Sequence, residues 1–113
     1  MFDTFKTLVL VAFSALSVYA IATEPVEVEV WTASWCGPCR SLKAFIATEP
    51  EELDDKNVVD RDFDEERAEA KKLKVYSLPT TIVRIYGREV GRMVGFPGAR
   101  GWLGFVGSHE GKE

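Results

Sequence analysis

A chain of 113 residues has room for one domain, and 46% hydrophobic with 28% charged residues is the balance of a soluble globular protein. A formal net charge of -4 offers no electrostatic footprint for nucleic acid, so no nucleic-acid partner is expected. The 2 cysteines are too few for a disulfide-stapled scaffold, and their Cys-x-x-Cys spacing closes too short a loop to stabilise much, so chemistry explains them better.

No charged residue lies from Thr7 to Thr23, and Leu8-Val9-Leu10-Val11-Ala12-Phe13 opens a strongly apolar run. Lys6 and the amino group form a small positive flank, and Ala20-Ile21-Ala22 puts small residues where a signal peptidase reads. Residues 1–22 are read as a secretory signal peptide, with an uncleaved hydrophobic membrane-anchor helix as the competing reading and a buried helix of the domain as the third. No Lys or Arg occurs between Lys6 and Arg40. Both leading readings therefore put the domain, residues 23–113, on the non-cytoplasmic side, exported or membrane-anchored.

Glu24-Pro25 reads as a brief linker. Val26-Glu27-Val28-Glu29-Val30-Trp31 then alternates apolar and acidic residues, the period of a strand with one buried face. From Gly37 through Thr48 the apolar positions Leu42, Phe45 and Ile46 share one helical face, and Glu49-Pro50 ends the pattern. Val58-Val59 opens a second strand that runs into Asp60-Arg61-Asp62-Phe63-Asp64. Asp64 can cap a helix through about Leu73, with Glu65 and Glu66 in its first turn and Lys71, Lys72 and Lys74 near its end. Thr81-Ile82-Val83-Arg84-Ile85-Tyr86 is a strand, turned by Gly87 into Glu89-Val90-Gly91-Arg92-Met93-Val94 to make a hairpin. Gly95-Phe96-Pro97-Gly98 ends the hairpin, and Trp102, Leu103, Phe105 and Val106 mark a final amphipathic helix. The predicted order is β-α-β-α-β-β-α.

Both cysteines fall between the first strand and the first helix. Cys36 is expected at the mouth of that helix and Cys39 one turn inside it, where backbone amides and the helix dipole favour a thiolate. A zinc site takes typically four ligands, and the chain offers two cysteines and the distant His109, so neither a metal nor another cofactor is expected. His109 and the acidic run Glu49 to Asp55 are read as solvated.

Trp35-Cys36-Gly37-Pro38-Cys39 looks like the active-site motif of thioredoxins, without a departure. Leu78-Pro79-Thr80 resembles the context of the family's cis-proline, and Gly95 with Leu103 and Phe105 resembles its closing pattern. The likeness covers roughly residues 26–106. It implies an α/β, thioredoxin-like three-layer sandwich in a minimal, glutaredoxin-sized form that lacks the family's extra N-terminal strand and helix.

The resemblance also implies a thiol-disulfide oxidoreductase that reduces protein disulfides. Cys36 attacks to form a mixed disulfide and Cys39 resolves it. Gly37 and Pro38 set the helix entry and a reducing poise. Trp35 flanks the dithiol. Leu78 lends its backbone to an extended substrate beside a cis Pro79, and Gly95 completes the groove. An exported reductant also needs electrons, from a thiol reductase or a membrane electron carrier. The rival readings are an oxidase or isomerase on the same fold, or a peptide-binding module whose dithiol is idle.

One departure stands out. Val30 occupies the position of the family's buried acid, and Asp60 that of the lysine that partners it. Asp60 is therefore read as a replacement acid, buried on the neighbouring strand with a raised pKa, as proton relay requires.

Overall fold

The computed structural model describes residues 25–109. The readings placed on residues 1–22 lie outside these. Four strands and three helices follow one another as β1 (Val26–Thr32), α1 (Gly37–Ile46), β2 (Asn57–Asp62), α2 (Arg67–Lys72), β3 (Thr80–Ile85), β4 (Arg88–Val94) and α3 (Ala99–Ser108). A short 3₁₀ turn, Glu51–Leu53, is the one addition to the predicted order. The sheet runs β2-β1-β3-β4, with β1 parallel to β2 and antiparallel to β3, and β3 antiparallel to β4. No helix among the described residues is long and apolar enough to cross a membrane.

Helix boundaries are tighter than the pattern predicts. Pro38 sits in the first turn of α1, where its missing amide leaves no bond unmade. The helix stops at Ile46 rather than Thr48, because the Thr48 amide and hydroxyl both turn back to the Phe45 carbonyl and Glu49 takes φ 53°. Helix α2 begins at Arg67, not after Asp64. The carboxylate that accepts the free amides of this turn belongs to Asp62, which takes the Asp64 amide at 2.9 Å and the Glu65 amide at 3.3 Å. In the β3–β4 hairpin Tyr86 and Gly87 both have positive φ, 50° and 84°, the signature of a tight turn that matches strand twist.

The sheet is covered on both faces. On one, Val26, Val28 and Val30 of β1 meet Leu42 of α1, Val83 and Ile85 of β3, and Trp102 and Val106 of α3. On the other, Trp31 and Ile82 pack on Ala70 of α2 and on Val75. The three-layer arrangement follows from the strand period of two, which sends alternate side chains of β1 to opposite layers.

One outcome departs from the alternation. Glu29 was expected on a solvated face, yet it is 2% exposed. Strand β1 is central, so its second face is covered as well. The Glu29 carboxylate accepts from Arg61 of β2 at 3.0 Å and lies 3.2 Å from Arg84 of β3, so one acid ties three strands. A buried charge is tolerated only when paired and hydrogen-bonded in this way.

A buried polar contact helps to fix helix α3. The Trp102 indole N–H donates to the Thr81 hydroxyl at 2.9 Å, and Phe45 meets the same ring edge-on at 6.1 Å. Trp102→Phe keeps most of the apolar volume but leaves the buried Thr81 hydroxyl without its donor. The expected loss is about 1–3 kcal/mol, read as a lower urea midpoint. An unmoved midpoint would show that Thr81 does not depend on the indole.

Candidate active site

Strand β1 delivers the dithiol. After Thr32 the chain turns through a Cys36 amide to Ala33 carbonyl bond of 3.1 Å, and α1 starts at the next residue. Cys36 is the N-cap, and its sulfur accepts the Cys39 amide at 3.3 Å. That sulfur thus occupies the place usually taken by a serine or aspartate oxygen at a helix N-terminus. A negative charge is stabilised there by the amides and the helix dipole, as the spacing predicts. Cys36 and Cys39 are joined as a disulfide with Cα atoms 5.2 Å apart. Cys36 is 7% exposed and Cys39 fully buried, so the two sulfurs differ in access.

The loop before β3 lies against this pair. The Leu78–Pro79 peptide is cis, Pro79 is buried, and Leu78 packs on the cluster formed by Ala33, Cys36 and Cys39. Gly95 donates its amide to the Pro79 carbonyl at 2.7 Å while holding φ 93°, a conformation that a side chain would strain. Leu78 therefore lies against the dithiol cluster, and the Gly95–Pro79 bond ties the adjoining residue to the end of β4.

The same loop is tied to β4 further back, where Arg92 donates to the Lys74 carbonyl at 3.2 Å and to both oxygens of Glu89. Those bonds from Arg92 hold the Glu89 carboxyl below its ordinary range. The resulting stabilisation is present above the unfolded-state pKa and is lost as pH falls through the lower folded value. Glu89 is largely solvated, which limits this contribution to about 1 kcal/mol.

Trp35 is 63% exposed beside Cys36, and its indole N–H donates to Asp64 at 2.9 Å. Asp64 also pairs with Arg67 at 3.1 Å. Neither Asp64 nor Phe63, which packs on the dithiol cluster, is identified as a site residue by the sequence pattern. Asp64 was expected to cap α2 instead. Its contact with Trp35 spans 29 positions, a separation that no local pattern encodes.

Asp60 requires a correction. It lies on the neighbouring strand as expected, opposite Val30 in the β1–β2 register, but its side chain is 62% exposed and pairs with Lys43 of α1 at 3.4 Å. β2 is an edge strand, so a side chain pointing towards α1 can still reach water. The burial expected of Asp60 is absent. An open cavity of about 670 Å³ lies along this corner, lined by Val30, Lys43, Ile46, Leu53, Val58 and Asp60 among others. His109 is half-buried rather than solvated: its ring meets Phe105 edge-on at 4.9 Å and covers Gly91. Among the described residues no group of acids, histidines and cysteines could hold a metal ion.

The family model described as Thioredoxin matches residues 17–101. The chain belongs to the thioredoxin family. Among curated members, thioredoxin H2 of Arabidopsis thaliana is 35% identical over 65 residues, covering 58% of this chain and 49% of that protein. A thioredoxin of Staphylococcus saprophyticus is 39% identical over 70 residues, 61% of this chain and 66% of that one. The chain thus spans about half to two-thirds of the length of these relatives. Among solved structures, a mutant thioredoxin from Halobacterium salinarum superposes with a TM-score of 0.69 at 28% identity, over 80% of this chain and 79% of that one. Fasciola hepatica thioredoxin shares the fold with a TM-score of 0.70 at 23% identity, over 88% and 94%. This is the α/β thioredoxin-like fold that the sequence leads one to expect.

Asp64→Ala removes the acceptor that holds Trp35. The expected result is readier quenching of tryptophan fluorescence by acrylamide, since Trp31 and Trp102 are buried, with stability altered by no more than about 0.5 kcal/mol. Unaltered quenching would mean that the indole is held by other contacts.

Proposed function

We propose that this chain is a thiol-disulfide oxidoreductase that reduces disulfides in proteins. The observation that carries the reading is the asymmetric pair at the start of α1. Cys36 caps the helix and keeps a small residual exposure of 7%, and Cys39 is fully buried within bonding reach of it. The reduced Cys36 attacks a substrate disulfide as its thiolate, forming a mixed disulfide and releasing one substrate thiolate. Cys39 then attacks Cys36, regenerating the intramolecular bond and freeing the second substrate sulfur. Family membership and the intact Trp35–Cys39 motif support the same chemistry.

The surroundings support a polypeptide substrate. Trp35, Tyr76 and Val94 are large exposed side chains, Trp35 next to Cys36 in the chain, Tyr76 two residues before Leu78, and Val94 opposite Thr80 in the register. β3 begins only at Thr80, so Leu78 stands just ahead of the ladder, where its backbone can pair with an extended segment. Pro79 shapes the groove and presents no amide to the dithiol.

The reading also includes a compartment. The uncharged run from Thr7 to Thr23, with no Lys or Arg between Lys6 and Arg40, supports export or anchoring with the domain outside the cytoplasm. Electrons then come from a thiol reductase or a membrane electron carrier. Fractionating cells that express the full chain, with N-terminal sequencing of the product, tests this; an intact chain found only in the cytosol overturns it.

Insulin reduction by the pre-reduced protein tests the activity. Cys36→Ser should abolish turnover, while Cys39→Ser should stall at the first step and retain substrate proteins as mixed disulfides on Cys36, visible by mass. Turnover that survives Cys36→Ser would remove the proposed nucleophile. Equilibration with glutathione gives the direction, because an oxidase has the less negative potential.

A further inference from the structure

Glu49 breaks two local rules at once. Its φ of 53° lies in the left-handed region that suits glycine or asparagine after a helix, and the Pro50 that follows favours extended backbone there. It also sets a carboxylate beside the C-terminus of α1, where the helix dipole disfavours negative charge. An acid kept in a strained, dipole-opposed position is better explained by a partner than by folding.

The residue stands at the rim of the open cavity of about 670 Å³ between α1 and β2. Val30, Ile46, Leu53 and Val58 give this groove an apolar wall. Asp54, just beyond the 3₁₀ turn, adds a second carboxylate to the rim, and the Lys43 ammonium is already matched by Asp60. Among the described residues neither Glu49 nor Asp54 has an ion-pair partner. The groove is thus apolar inside and carries two unmatched negative charges. Among the described residues β2 pairs with β1 alone, and its Val58 and Asp60, two positions apart, both face the groove. An extended segment laid along that edge would send alternate side chains into it. None of the lining residues belongs to the cluster around Cys36 and Cys39. Val30 nevertheless lies six residues before Cys36, at most about 20 Å away.

We propose that this groove is a docking site, separate from the dithiol, for an extended segment of a substrate protein that alternates apolar residues with Lys or Arg. The inference rests on the reading of the chain as a protein-disulfide reductase. Apolar side chains of the segment fill the groove, and its cations meet Glu49 and Asp54. Held there, the substrate presents its disulfide to Cys36 at a raised effective concentration. The rim thereby selects substrates by charge, because a neutral or acidic segment leaves both carboxylates unmatched.

The test uses the full chain and short fluorescein-labelled peptides, one alternating leucine with lysine and one alternating leucine with glutamine, followed by anisotropy. The lysine peptide should bind more tightly. Glu49→Gln with Asp54→Asn should weaken it roughly threefold to tenfold and leave the glutamine peptide unchanged. Glu65→Gln with Glu69→Gln removes the same net charge elsewhere and should leave both peptides unchanged. Glu49→Gly relieves the backbone, so it should raise the urea midpoint while weakening the lysine peptide. Equal weakening by the two double variants, or a Glu49→Gly protein that binds like the parent, would overturn the proposal. So would failure of the lysine peptide to bind, the result expected if residues 1–22 of the chain or a second copy fill the groove. Joined to a disulfide reporter, the lysine segment should lower KM at unchanged kcat, a gain that Glu49→Gln with Asp54→Asn abolishes. A reporter that the parent does not reduce at all counts against the proposed function, whereas anisotropy needs no thiol and decides the groove by itself.

Discussion

Burial of β1 on both faces is the constraint from which the rest of the molecule follows. A strand with β2 on one side, β3 on the other and helices above and below cannot slide or rotate. Its final residues therefore reach a fixed point, and the turn at Ala33 places Cys36 there. Central position also explains Glu29. An acid in the middle of the sheet is stable only because β2 and β3 each supply an arginine, and in return it joins the three strands. The parallel β1–β2 pair lacks a hairpin to set its register, so this ionic clamp adds a side-chain constraint to the backbone ladder.

Around that anchored end, three segments distant in sequence are brought together by main-chain bonds. Gly95 reaches Pro79, Phe63 donates to the Thr32 carbonyl, and Cys36 closes on Ala33. Backbone bonds are insensitive to most substitutions, so the site's geometry tolerates a varied surface. Side chains then tune what passes through it. Trp35, Tyr76 and Val94 offer apolar area, while Lys43 and Asp60 pair in the open between α1 and β2.

Much of this was legible in the sequence, because it is encoded locally. Hydrophobic period alone orders the elements β-α-β-α-β-β-α. Pro38 and Tyr86-Gly87 carry their own backbone preferences, and the dithiol motif names its reaction class. What was not legible is long-range. Val26 to Val30 alternates with two glutamates, which reads as one wet face, and nothing within the strand reveals that Arg61 and Arg84 will close over Glu29. Asp60 illustrates the reverse error. Its place on the neighbouring strand was readable, but whether that position lies under cover depends on β2 being at the sheet edge, which only the assembled sheet decides. Asp64 differs again, since the turn around Asp62 delays the helix to Arg67 and leaves the Asp64 carboxylate to hold Trp35 and Arg67.

The use of a sulfur as the cap of α1 ties the redox couple to helix stability. A charged cap strengthens the helix N-terminus, so the reduced protein gains from its thiolate an interaction that the uncharged disulfide sulfur supplies only weakly. By thermodynamic linkage, whatever stabilises the reduced form makes it a poorer electron donor. Nucleophilic readiness and reducing power therefore oppose each other at this one atom. The poise of the protein is the compromise between them, struck in the first turn of a ten-residue helix.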